Sequence, residues 1–111
     1  MENSNLIYNV TVSVDEKIQS DWISWMLNGH LRDMLSTGCF LGFTFSELHT
    51  DAEMGPTYTV QYELASPADF ERYEKEFAQQ MRQKGAEVFG KKALAYRSTM
   101  RIIAKGQLRD Q

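Results

Sequence analysis

Leu6 to Val14 read LIYNVTVSV, and the two faces of this run set the frame for the rest of the chain. The run is rich in β-branched residues and alternates strictly, so it reads as a strand. Leu6, Tyr8, Val10, Val12 and Val14 fall on one side, while Ile7, Asn9, Thr11 and Ser13 fall on the other. A strand with one apolar and one mostly polar face calls for a sheet covered by helices on one side only.

Working outward, a helix opens at Asp15 or Glu16, runs over 16–36 and stops at Gly38. At about 100° per residue, Ser20, Asp21, Ser24, Asn28 and Arg32 share its solvent arc. Ile18, Trp22, Ile23, Met26, Leu27 and Met34 fill the opposite side, with His30 in their midst. Strands are predicted over 40–48 and 57–64 (TYTVQYEL), joined by the acidic turn HTDAEMGP at 49–56. Ser66-Pro67-Ala68-Asp69 is a strong helix start, because Ser caps, Pro suits the first turn and Asp meets the free amides. That second helix is placed over 67–84, with Phe70, Tyr73, Phe77 and Met81 as its core stripe and a weakening near Gly85. A last strand covers 92–103, and 104–111 reads as a polar, flexible tail.

The order β-α-β-β-α-β predicts an α+β, ferredoxin-like fold. Right-handed crossovers place four antiparallel strands in the order 4-1-3-2, with both helices on one face. One domain over 6–103 fits a chain of 111 residues, 42% apolar and 24% charged.

The net charge of −3 leaves no basic excess for phosphates, which argues against a nucleic-acid partner. Cys39 is the single cysteine, so no intrachain disulfide can form, and with two histidines no metal-ligand spacing arises. No glycine-rich loop suggests a nucleotide cofactor. No apolar run approaches the ~18 residues of a membrane span. Met1 to Asn5 lack the look of a signal peptide, so the expected location is the cytoplasm.

The face away from the helices is expected to carry Asn9, Thr11, Gln61 and Arg97, with Leu41, Phe43 and Phe45 as apolar patches. Exposed phenylalanines there call for cover, and a homodimer packed through these sheet faces is the expected assembly. On the covered face, His30 needs a partner for its ring, since an unpaired buried nitrogen costs about 1–3 kcal/mol. Tyr8 or Tyr62 is expected to supply one. With Trp22 and Trp25 they would line a pocket between helices and sheet, in which His30 anchors a small molecule or acts as a general base.

The sequence resembles a small bacterial family known as domain of unknown function 4286. The likeness lies in Ile7-Tyr8-Asn9-Val10-Thr11, Trp22, Trp25-Met26, His30 and Thr37-Gly38-Cys39-Phe40. It continues through Thr57-Tyr58, Val60-Gln61-Tyr62, Tyr73, Phe89-Gly90 and Arg97. The resemblance implies a fold similar to the dimeric α/β barrels, a group that includes cofactor-independent monooxygenases and haem-degrading enzymes. In such monooxygenases a first-strand Asn, a Trp and sometimes a His serve the substrate, a theme onto which Asn9, Trp22, Trp25 and His30 can be laid. The family pattern has a proline two residues after the histidine, where this chain has Arg32.

Two function classes follow. One is a dimeric binding, regulatory or structural module that uses no cofactor; the other is a cofactor-independent monooxygenase-like or isomerase-like enzyme with His30 as base. A cavity beside His30 and Tyr62 of about 300 Å³ is the feature that separates a ligand site from a packed core.

Overall fold

The computed structural model describes residues 5–50, 53 and 55–108. Four strands, β1 (Leu6–Val14), β2 (Phe40–Leu48), β3 (Thr57–Leu64) and β4 (Ala93–Arg101), form one sheet in the order β2-β3-β1-β4. Every pairing is antiparallel, and the order is 4-1-3-2 read from the other edge. Four helical segments, α1 (Gln19–Trp25), α2 (Leu31–Ser36), α3 (Pro67–Glu76) and α4 (Ala78–Phe89), lie between the strands in the chain. The fold is the ferredoxin-like α+β arrangement. No described helix is long and apolar enough to cross a membrane.

Each predicted helix is interrupted once. The first opens with a 3-10 turn at Glu16–Ile18, where the Asp15 side chain accepts from the Lys17 amide. Between α1 and α2 lies a π-helical turn, Met26–His30, closed by the Leu31 amide donating to the Met26 carbonyl. The second continues past Gly85 to Phe89 and breaks at Phe77, whose φ of −126° leaves the helical region. Gly85 lies inside α4 beside Trp25, where a Cβ would sit 3.6 Å from the indole, an ordinary packing distance. The second predicted helix starts as the sequence indicates, with Ser66 Oγ accepting from the Asp69 amide and Pro67 in the first turn.

Arg72 on α3 ties the second predicted helix to the end of the first. Its guanidinium donates to the carbonyls of Gly38 (3.0 Å) and Thr37 (3.4 Å), at the C-terminal end of α2. A cation there answers the unsatisfied carbonyls and the negative end of the dipole.

Buried between helices and sheet is an aromatic cluster. Tyr8, at the centre, lies 5.2 to 6.1 Å from the rings of Phe40, Tyr62, Phe70 and Tyr73. Trp22, Phe45 and Tyr58 form a second group.

The register corrects two expectations about the sheet faces. Phe40 pairs with Leu64 but Gly42 pairs with Glu63, so Leu41 is an extra residue at a β-bulge. Beyond it the alternation of β2 is shifted by one. Phe43 pairs with core-facing Tyr62 and Phe45 with Val60, so both lie on the helix side, not on the open face. In β4, Arg97 pairs with Val10 and Ala95 with Val12, so Arg97, Thr99 and Arg101 also lie on the helix side. As an edge strand, β4 leaves those polar residues exposed while Ala93 and Ala95 pack under the helices. The open face of β4 shows Leu94, Tyr96, Ser98 and Met100 instead. Asn9, Thr11 and Gln61 do lie on the open face, where Asn9 Nδ2 donates to Thr11 Oγ1 at 3.1 Å. The last strand also ends at Arg101 rather than 103, although the Ile102 amide still donates to the Asn5 carbonyl. The predicted turn at 49–56 and the tail lie partly outside the described residues.

The bulge sets a test. Phe45 packs on Trp22 and Tyr58, so Phe45→Ala should lower unfolding stability by about 1–3 kcal/mol. Leu41, 69% exposed, should tolerate Leu41→Ser within about 0.5 kcal/mol. Urea denaturation of the two variants reads the difference, and comparable losses would contradict the bulged register.

Candidate functional site

The helix layer does not fill the space above β1 and β4. A cavity of about 310 Å³ remains there. Its deep wall is buried and aromatic: Tyr8, Trp22, Tyr62 and Tyr73, with Met26, Met34 and Met81 among them. Residues at its mouth are exposed, namely Ala86 on α4, Gly90 just after it, and Arg97 on β4. Small side chains hold the space open. Gly85, Ala86, Ala93 and Ala95 line it where larger residues would fill it.

The π-helical turn positions His30. An i→i+5 turn brings residues five apart toward one face of a helix, where an α-helical turn would splay them. Trp25 and His30, five apart, stack with ring centroids 4.5 Å apart and planes 18° from parallel. Phe89 meets the same indole edge-on at 5.6 Å. The distortion thus occurs with Arg32, not proline, two residues after the histidine; Arg32 donates weakly to the Asn28 carbonyl at 3.4 Å.

His30 Nδ1 is buried without a hydrogen-bond partner among the described residues. The expected tyrosine partners are not there, since the Tyr8 hydroxyl accepts instead from Arg82 at 3.2 Å. Arg82 also donates to Glu74 at 2.9 Å, while its Nε is the other buried, unpaired side-chain atom. Both unpaired atoms belong to side chains that line the cavity. Burial lowers the His30 imidazole to about 4; Asp33 opposes that shift and Lys84 adds to it. Those two pair with each other at 3.6 Å in a surface groove on the outer side of His30. At neutral pH the imidazole is therefore uncharged. Burial also raises the Tyr62 and Tyr73 phenols, and the Arg82 and Arg97 guanidinia partly offset the rise at Tyr73.

Of the residues singled out in the sequence, Tyr8, Trp22, Trp25, His30 and Tyr62 meet around this cavity, and Arg97 joins them at its mouth. Asn9, Thr11 and Gln61 lie across the sheet, and Phe43 and Phe45 flank the core nearer β2. Arg82 and Gly85 were not anticipated. They share one helical row with buried Ala78 and cavity-lining Phe89, so a charge in that row was the available signal. Among the described residues no cluster of His, Cys, Asp and Glu could hold a metal ion.

A falling pH should expose the imidazole. The unfolded chain binds a proton near the ordinary histidine value of 6.5, whereas the folded chain resists it down to about 4. Folded-state proton binding is weaker, so stability falls as pH drops through that window, by about 2–3 kcal/mol in all. Carboxylates titrate there too, so the quantity to measure is the difference between wild type and His30→Gln. Urea denaturation at several pH values should give the wild type the steeper loss; parallel curves would show His30 to be freely solvated.

Over residues 5–103 the sequence matches the family model described as "Domain of unknown function (DUF4286)". No curated protein matches the chain. Among solved structures, HapK from Hahella chejuensis is similar with a TM-score of 0.68 at 10% identity, covering 95% of this chain and 99% of that one. A dimeric ferredoxin-like protein from an uncultured marine organism gives 0.61 at 13% identity, covering 95% and 100%. A monooxygenase candidate from Shewanella loihica PV-4 gives 0.55 at 16%, covering 94% and 100%. At these identities the likeness is one of fold.

Proposed function

The chain belongs to the DUF4286 family of domains of unknown function, and we propose that it binds a small, flat, mostly apolar molecule in the cavity between helices and sheet. The observation that supports this is the conjunction of space and unmet polarity. A void of about 310 Å³ forfeits packing contacts that a filled core would make. Two buried polar atoms, His30 Nδ1 and Arg82 Nε, stand unpaired in the side chains around it, each at a cost of about 1–3 kcal/mol. A ligand that fills the space recovers the first loss, and a turn of either side chain toward it would recover the second.

Binding is a better account than base catalysis. A base works best with its pKa near the operating pH, and His30 lies at about 4. It also lacks a hydrogen-bonded carboxylate to orient it. An enzymatic role of the monooxygenase or isomerase kind draws its support from the uncharged, desolvated imidazole facing the void. Oxygen uptake in the presence of a bound compound would favour that reading.

Screening flat one- and two-ring compounds by thermal shift tests the proposal. A ligand at a hundred times its Kd stabilises by about 2.7 kcal/mol, a readily measured rise in Tm. The rise should vanish in Ala86→Trp, which plugs the mouth from an exposed position. A screen without hits, together with native mass spectra showing no co-purified molecule, would remove the support for a ligand site.

The chain is further read as a cytoplasmic homodimer, with a second copy on the open sheet face. One fold neighbour is a dimeric ferredoxin-like protein. On the open face Leu94, Tyr96 (73% exposed) and Met100 form an apolar row along β4, with Ile7 beside them. A row of that kind calls for cover. Light scattering at micromolar concentration should give twice the chain mass, and Tyr96→Glu should lower it toward one; a monomeric wild type would refute the dimer.

A further inference from the structure

We propose that the ligand of this cavity is a flat aromatic carboxylate, a monoanion of one or two rings; this rests on reading the cavity as a ligand site. The chain carries more acidic than basic residues, 15 against 12. Around the cavity that balance is reversed, since the lining includes Arg82, Arg97 and His30 but no Asp or Glu.

The two guanidinia approach from different elements. Arg82 comes from α4, and Arg97 from the helix side of β4, opposite Val10. Tyr73, on the deep wall, feels both charges. Glu74 balances one of the two charges by pairing with Arg82 at 2.9 Å. Arg97 has no ion pair among the described residues, which leaves one uncompensated positive charge at the mouth. Arginine presents a planar fork of donors that matches a carboxylate two-to-two. One negative charge answers the surplus, whereas a phosphate dianion would overfill it.

The remainder of the ligand is set by the deep wall. Aromatic rings and methionines offer faces and polarizable surface to a flat ring, and the Trp25–His30 stack lies along one side. At about 30 Å³ per water, the space holds on the order of ten water volumes, which suits one or two fused rings. The ring therefore points inward and the carboxylate outward, toward Arg97.

Calorimetric titration with 2-naphthoate and with its neutral isostere 2-naphthamide tests the assignment. The acid should bind wild type about tenfold or more tightly than the amide, the size of one charge-assisted hydrogen bond. Arg97→Gln should close that gap by weakening the acid. Arg101→Gln, on the same face of β4 but outside the cavity, should leave it open. Equal affinity of acid and amide for wild type, or a gap that survives Arg97→Gln, overturns the carboxylate while leaving the cavity as a site for neutral rings. Failure of both compounds to bind at millimolar concentration overturns the aromatic carboxylate, while the ligand site itself stands or falls with the wider screen.

Discussion

The pleat of β1 governs this molecule. The strand is hydrogen-bonded on both sides, to β3 and to β4, so its period of two is imposed on each neighbour. Tyr8, Val10 and Val12 point to the helices, and whatever pairs with them points the same way. Tyr62, Val60 and Tyr58 of β3 follow, as do Ala95 and Arg97 of β4. A one-residue slip would turn the aromatic core to solvent, and among the described residues the one register shift is the extra residue at Leu41, on the strand farthest from β1. The insertion brings Phe43 and Phe45 back over the core, where Phe45 reaches Trp22 and Tyr58.

From that constraint the cavity follows as a difference in side-chain size along the sheet. Where β1 meets β3, the helix-side residues are tyrosine, valine and leucine, and they form the buried floor. Toward β4 the helix-side positions are Ala93 and Ala95, and the helix above offers Gly85 and Ala86. Small residues on both layers leave the gap. Met26, Met34 and Met81 border it, and their flexible stems suit a wall that must fit an occupant.

Much of this was legible in the residues. The alternation of β1 and β3, the capped start at Ser66 and the stop at Gly38 identify the layers and their order. The cluster of Tyr8, Trp22, Trp25, His30 and Tyr62 follows from the same alternation combined with helical spacing. The faces of the edge strands were not legible, for a physical reason: an edge strand is open on its helix side as well, so Arg97 and Arg101 need not turn away from the helices. Gly42 was a signal of the bulge, because an isolated glycine inside a strand marks a break in pairing. The π-helical turn has a fainter signature, Gly29 within an otherwise continuous pattern. The void is invisible to pattern alone, since periodicity says which residues point inward and not whether they fill the space.

The pairing of β1 with β4 joins residues almost a chain length apart, Leu6 with Arg101. Contacts so distant in sequence close late, because the entropy of the intervening loop must be overcome first. During synthesis the N-terminal strand has one partner, β3, until the ribosome has released the last strand. Ala93, Ala95 and Arg97 are among the final residues to take their places, and they form the outer wall of the cavity. Until then the aromatic floor is an open trough without the guanidinium at its rim. An occupant of that space would thus recognise only a chain whose last strand is in place, and its binding would lock the edge of the sheet that is synthesised last.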